Sequence, residues 1–360
     1  MGWAGRETLS TLVRPGKARG LLTLGASADV VVGLAADELD KAGDVTRRHL
    51  REAGIGSSDR VLLALNNDGA PGAWELARAI AGEAEAVSGC GPRGRMRLLR
   101  AINAVQPTVL VMTPTGAMDF LSRLHIEFLV DPLELGVERI ILVGELASAK
   151  TEERLAAEFG ARVGWLWCDP FFGVALAHGD AKGLVVEEDL VLGRLGADET
   201  VLPADVSGDA PAELVLQPSW STALASASLR TGWVVTRPAE GDRIPLPTAT
   251  VGNWLMIRGQ WLSVSALSLA LRTIEGIDAW SLVVEREGTL DQARLQVAFS
   301  RPSLTENPMW SGRLREALRA LTPIDIEVEI QPAADQIGPK IVDLRGHHLG
   351  LDRAEVGVTH

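Results

Sequence analysis

The chain has 360 residues, 46% hydrophobic and 23% charged, with a formal net charge of −12 and no tyrosine. Such acidity opposes extended contact with a phosphate backbone, which needs clustered Lys and Arg, and so argues against a nucleic-acid partner. No apolar run reaches the ~18 residues of a membrane helix, and Arg6, Glu7 and Arg14 interrupt any signal-peptide core, so a cytoplasmic protein without a membrane partner is expected.

Residues 1–20 carry little periodicity and read as a lead-in. Short β-like runs at 21–24 and 30–32 flank Gly25 to Asp29 as a strand–loop–strand, and Asp37 is expected to cap a helix ending at Gly54. From Asp59 a β/α rhythm sets in. Strands are predicted at 61–65, 84–87, 109–112, 140–143 and 163–167, and helices at 74–81, 96–104, 117–124 and 152–159. Short apolar strands alternating with amphipathic helices predict a largely parallel sheet covered on both faces. After Gly173 the runs 184–186, 190–192 and 213–216 read as a more antiparallel section. Pro245 and Pro247 interrupt the chain before a hinge at Gly252. Beyond it, a helix (265–275), two strands (280–286, 294–300), a helix (312–321) and a strand (324–330) suit a small α+β domain with helices on an antiparallel sheet. The expected fold is therefore a large α/β domain over 1–251 and a small α+β domain over 252–360.

Several collinear segments carry a resemblance. Gly54 to Leu63 reads as a helix end and a "GDRV"-type strand; Pro107-Thr108 through Thr113-Pro114 brackets another. Val143-Gly144-Glu145, the stretch 183–191 with Glu188 and Asp189, the strand 213–216, Leu229-Arg230-Thr231-Gly232, Ile257-Arg258-Gly259 and 341–345 follow in order. Together they resemble the phenylacetate-CoA ligase branch of the adenylate-forming enzymes. The resemblance implies an N-terminally truncated acyl/nucleotide-binding domain that forms an acyl-adenylate, with a small domain that rotates for thiol attack.

It also implies residues this chain does not supply. The phosphate loop falls across Thr23–Asp29, where Thr23, Gly25 and Ser27 still offer donors but Asp29 would repel a triphosphate. The adenine-side segment falls on Trp167-Cys168-Asp169-Pro170-Phe171, with Pro170 and Phe171 in place of a hydroxyl and a carboxylate. After Arg230 and Thr231 of the nucleotide motif, Trp233 replaces the ribose-binding acid. Gly252 replaces the hinge Asp, and the catalytic lysine falls near Ile337; Lys340, three residues on, could substitute only if the loop shifts.

Other features have plainer readings. Gly89 to Gly94 is a formal GxGxxG lacking the acidic residue of a dinucleotide site, and Cys90 and Cys168 read as incidental thiols. His347 and His348 read as solvated tail residues, and Glu187-Glu188-Asp189 as a solvated strand edge. His178 lies where some relatives have a Cys/His zinc cluster whose other ligands are absent, so no metal is expected. Asn66-Asn67-Asp68, after a strand end, reads as an Asx turn or as part of a polar acyl pocket, which the resemblance completes with Gly144, Glu145, Trp167, Phe171 and Trp233.

Three functions stay open on these grounds. One is a non-adenylating homologue that binds a small acyl or aryl acid, its thioester, a carrier protein or a partner enzyme, with no cofactor. Another uses the inherited pocket for a non-ATP reaction. The third is an active ligase with displaced motifs, requiring ATP, Mg and CoA. Oligomeric state is open, a homo-oligomer included.

Overall fold

The computed structural model describes residues 3–4, 20–24, 31–65, 73–91, 94–146, 148–195, 201–203, 211–222, 224, 227–235, 243–305 and 307–349. The chain divides into two compact units, Met1–Thr248 and Ala249–His360, so Gly252 (φ +88°) lies inside the second. Among the described residues, no helix is long and apolar enough to cross a membrane.

In the first unit, β1 (Trp3–Ala4) pairs in parallel with β14 (Ser228–Val235), so part of the expected lead-in is tied to a sheet. β2 (Gly20–Leu24) and β3 (Val31–Ala35) form the expected antiparallel pair and lead into α1 (Ala36–Glu52). The start of α1 is held by Glu38, whose carboxylate accepts from the Ala35 backbone at 2.8 Å, and not by Asp37. Gly54 ends the helix at φ +89°, a left-handed position that favours glycine.

The central sheet follows the predicted rhythm: β4 (Arg60–Ala64), α2 (Ala73–Ala81), β5 (Ala86–Gly89), α3 (Arg95–Val105), β6 (Val109–Met112), α4 (Pro114–Arg123), β7 (Arg139–Val143), α5 (Ala149–Phe159) and β8 (Arg162–Cys168). The strands β8, β7, β6, β4 and β5 lie side by side in parallel. Residues of both parities are buried: Val61 and Leu63 join Leu50, Leu76 and Ile80 in one core, and Leu62, Leu110 and Leu142 are equally enclosed. Burial on both faces explains why these strands read as unbroken apolar runs. Helix α4 begins earlier than its apolar periodicity predicts. Thr113 caps it by accepting from Gly116 N at 3.2 Å, and Pro114 fits the first turn.

The family-like motif at Asp59 has a structural task. Its carboxylate accepts from Gly56 N and from Thr108 Oγ1, both at 2.8 Å, and Thr108 Oγ1 accepts from Arg60 N, so neighbouring strand starts are stitched together.

Beyond β8 the sheet continues antiparallel through β9 (Ala175–Asp180), which lacks a sequence signal, β10 (Gly183–Val186) and β15 (Arg243–Ile244). A second sheet runs β1-β14-β13-β11-β12, with β11 at Leu190–Leu195, β12 at Val201–Pro203 and β13 at Ala212–Leu216; β14, β13, β11 and β12 are antiparallel neighbours, as expected for this section.

The second unit opens with β16 (Ala249–Thr250) and the hairpin β17 (Trp254–Ile257)–β18 (Gln260–Ser263), turned by Arg258 and Gly259 at φ +52° and +70°. Then come α6 (Val264–Arg272), β19 (Ile277–Glu287), β20 (Leu290–Phe299), α7 (Pro302–Thr305), α8 (Pro308–Leu321), β21 (Ile326–Gln331) and β22 (Ile341–Asp343). Its sheet, ordered β21-β20-β19-β22, is mixed and not antiparallel: β21 and β22 both join in parallel on either side of the β19–β20 hairpin. Helices α6 and α8 close one apolar core through Leu267, Leu271, Leu314 and Leu318.

The paired histidines are integrated into this unit and not solvated. Thr250 N donates to His347 O at 2.7 Å, and His348 Nδ1 meets Thr250 Oγ1 at 3.0 Å. Burial pushes His348 down to about 4, with Asp343 opposing and Arg345 assisting. A depressed imidazole is neutral when folded but charges in the unfolded chain near pH 6.5, so its contribution is complete above that pH and lost as pH falls toward 4. The full loss is on the order of 3 kcal/mol. Urea midpoints measured across pH 7.5 to 4 should fall less steeply in His348→Gln than in the parent; equal slopes would rule the assignment out.

Candidate functional site

In an open parallel sheet, ligands bind beyond the carboxyl ends of the strands. Here Gly144 (φ +77°) and Glu145 follow the end of β7, and Trp165 to Cys168 form the end of β8. Gly144, Glu145, Trp165, Leu166 and Trp167, with Leu184 and Trp233, border a small hollow whose roughly 310 Å³ of empty space includes open solvent. Thus four of the sequence-derived site residues, Gly144, Glu145, Trp167 and Trp233, converge. Trp165 and Leu184 border the same hollow without having been singled out: Trp165 shares the face of Trp167 two residues away on β8, a visible spacing, while Leu184 is brought there from β10 by pairing.

Glu145 is built into the wall. Its carboxylate accepts from Thr115 N at 2.8 Å and from Thr115 Oγ1 at 2.7 and 2.9 Å, in the first turn of α4, where the helix dipole favours a negative charge. The rings of Trp167 and Trp233 meet edge to face, with centroids 6.4 Å apart, and both residues are buried. The indole Nε1 of Trp167 is enclosed without a hydrogen-bond partner among the described residues. Trp165 Nε1 donates to Glu152 at 2.7 Å, and burial raises the Glu152 pKa against that bond.

The loop after β8 is closed on Asp169. Oδ1 accepts from the backbone of Phe171 at 2.9 Å and Phe172 at 2.7 Å, and Oδ2 from Val174 at 2.8 Å. Burial pushes Asp169 up to about 7 against these three donors. The turn drives both phenylalanines inward: Phe171 is buried, and fully enclosed Phe172 packs edge to face on Trp220 at 6.1 Å.

Arg230 and Thr231 are engaged within the sheet. Arg230 Nε and Nη2 donate to Glu213 at 2.8 and 2.7 Å, and Gly232 N donates to the same carboxylate at 2.8 Å. Thr231 Oγ1 donates to Leu214 O at 2.7 Å. These contacts span a register shift between β13 and β14 at Glu213 and Val215, so Arg230 and Thr231 take part in the pairing of an irregular strand pair.

Of the remaining candidates, Thr23 lies in β2, while Gly25, Ser27, Asn66, Asn67 and Asp68 fall outside the described residues. Lys340 is exposed, and the chain around it is pinned: Leu282 N donates to Lys340 O at 2.8 Å and Ser281 Oγ to Pro339 O at 2.5 Å. That pinning opposes the loop shift Lys340 would need.

Two expectations about charged groups are corrected. Glu187 is largely enclosed and lies 2.5 Å from Arg48 Nη2 and 2.8 Å from His49 Nε2, so it is not a solvated edge. His178 does not stand alone, since its Nδ1 is 2.8 Å from Nδ1 of buried His49. Burial, His178 and Arg48 together hold His49 down to about 3. His49 and Glu52 share a helix face at i, i+3, a visible pattern, but their partner comes from β9, which sequence reading did not find.

No family model and no curated protein matches the chain. Solved structures do. A 2-hydroxyisobutyryl-CoA ligase in complex with 2-HIB-AMP and CoA, in its thioesterification state, aligns over 98% of this chain and 81% of its own, at 17% identity and a TM-score of 0.74. The amide bond synthetase McbA from Marinactinospora thermotolerans aligns over 87% and 65%, at 16% identity and 0.65. A malonyl-CoA ligase with methylmalonyl-CoA and AMP bound aligns over 87% and 70%, at 16% identity and 0.63. The chain therefore has the adenylate-forming ligase fold, with a large parallel-sheet domain and a C-terminal small domain.

Proposed function

We propose that this chain is a non-adenylating, phenylacetate-CoA-ligase-like protein that binds a small acyl or aryl acid, or its thioester, in the hollow beside β7 and β8. The observation that carries this reading is the lining: Trp165, Trp167, Trp233 and Leu184, with no Lys or Arg among the bordering residues. Trp167 Nε1 supplies a donor for one carbonyl or carboxylate oxygen. Adenylation instead needs cations or oriented dipoles at the phosphates and the reacting carboxylate, and removing a single such group slows the reaction by about 10²-fold or more. The aromatic turn at Phe171 and Phe172 and the internal commitment of Arg230 and Thr231 support the same conclusion. The reading assigns no cofactor, and a carrier or partner protein is a compatible donor of the thioester.

Calorimetry with ATP-Mg should give no saturable heat at millimolar nucleotide. Pyrophosphate exchange should stay at background across aryl and alkyl acids, while at least one acid or thioester raises the melting temperature. Saturable ATP binding with acid-dependent exchange would establish the active-ligase alternative instead.

A further inference from the structure

The connection from α4 to β7 carries apolar side chains into solvent, where a connecting segment is ordinarily polar. Ile126, Phe128, Leu129, Val130, Leu133 and Leu135 all lie in it and none is buried; Ile126, Leu129 and Leu133 are 75%, 83% and 59% exposed. Those three alone present roughly 400 Å², within the ~300–600 Å² of the largest patch on a typical monomer, which is often functional.

The backbone holds them outward. A π turn over Leu124–Phe128 extends α4, and Leu124 O accepts from both Leu129 N and Val130 N. Leu129 takes φ +52°, a left-handed position that ordinarily falls to Gly or Asn at a helix end. A 3-10 turn over Pro132–Leu135 follows, with Leu133 N donating to Asp131 Oδ1 at 3.0 Å. Leu133 also leans on Gly160 at the end of α5, where a Cβ would meet its Cδ2 at 2.8 Å. This segment leads into the amino end of β7, and the hollow lies beyond the carboxyl end, so a partner seated here leaves the hollow open.

The charges beside the patch point to what covers it. Arg123 Nη1 donates to Glu127 at 3.3 Å, and His125 Nε2 meets Glu158 at 3.0 Å, so these four are satisfied within one copy. The other exposed charges have both signs: Glu134 and Glu138 on the chain entering β7, Arg154 and Arg162 on the chain of α5 and β8. A uniformly acidic or basic partner would meet like charge. A second copy turned by a two-fold axis brings the same mixed set and can place acid against base while the apolar residues meet their own kind.

We propose that this face joins two copies of the chain about a two-fold axis, with Ile126, Leu129 and Leu133 of each copy at its apolar centre. With Phe128, Val130, Leu135 and the charged rim added, the face can reach the ~800 Å² per partner of a stable interface.

The test is sedimentation equilibrium of the full chain over a range of concentrations. A monomer–dimer equilibrium reaching twice 38.4 kDa is expected, with micromolar or tighter affinity. Leu129→Asn suits the left-handed position and so should fold, and it should weaken the dimer about 10-fold or more, as should Ile126→Glu. Leu269→Asn, at an exposed leucine of the second unit, should leave the dimer unchanged. A monomer at every concentration would overturn the proposal and leave the face to a different protein. Parental dimer affinity in folded Leu129→Asn and Ile126→Glu would overturn it too, as would assembly that grows past two copies.

Discussion

Asp169→Ala should be the most damaging single change in the larger unit, lowering its stability by about 5 kcal/mol. The carboxylate is fully enclosed and accepts three backbone N–H groups, from Phe171, Phe172 and Val174. Alanine leaves all three buried without an acceptor, at about 1–3 kcal/mol each. Domains have only about 5–15 kcal/mol in total, so the melting temperature should fall by on the order of 10 °C or more. Asp169→Asn keeps Oδ1 for Phe171 and Phe172 but turns a donor toward Val174 N, so it should lose only about 1–3 kcal/mol. The pH dependence separates charge from geometry. Because the folded pKa is raised to about 7, the contribution of Asp169 is complete below about pH 4 and lost as pH rises toward 7. The asparagine variant should lose that slope. A thermal melt of Asp169→Ala indistinguishable from the parent would show that the turn is not held by this carboxylate.

Much of the fold was legible because its signals are local. The parallel strands announce themselves as apolar runs buried on both faces, and the Gly54 helix end is local chemistry, whereas the Thr113-Pro114 cap went unread and the helix was placed three residues late. What escaped was set by pairing between distant segments. Strand β9 carries Ala175, Ala177, His178 and Gly179 and has little intrinsic β signal; it is a strand because β8 and β10 flank it. The mixed order of the small sheet likewise depends on β22 crossing to pair with β19, which no periodicity reports.

The candidate site shows the same division. Gly144, Glu145, Trp167 and Trp233 were singled out through family motifs, and the fold places all four around one hollow. Arg230 and Thr231 were found by the same route, yet their contacts are those of an irregular strand pair, because a motif records which residue is present and not which partner it meets. The histidine pair was missed from the opposite direction: an H-x-x-E spacing is common on solvated helices, and only the pairing of β9 places His178 beside it.

Trp233→Asp restores the acidic residue that the family resemblance calls for, and it should still yield no saturable ATP binding. Trp233 is buried and packs edge to face against Trp167, so removing the indole should cost about 3–5 kcal/mol in packing alone. The new carboxylate would stand among Trp165, Trp167 and Leu184, where an unpaired charge is disfavoured and would tend to protonate. A neutral acid there can hydrogen-bond a hydroxyl, but it supplies nothing for the phosphates. Phe171 and Phe172 would remain folded inward on the Asp169 turn, and Arg230 would remain on Glu213. The measurement is an ATP-Mg titration of the variant at a temperature where circular dichroism shows it folded, beside Trp233→Leu, which opens space without adding an acid. Equal absence of saturable heat in both variants is the expected result. Saturation in Trp233→Asp alone would mean that one side chain separates this chain from a nucleotide-binding ligase, and the non-adenylating reading would have to be abandoned.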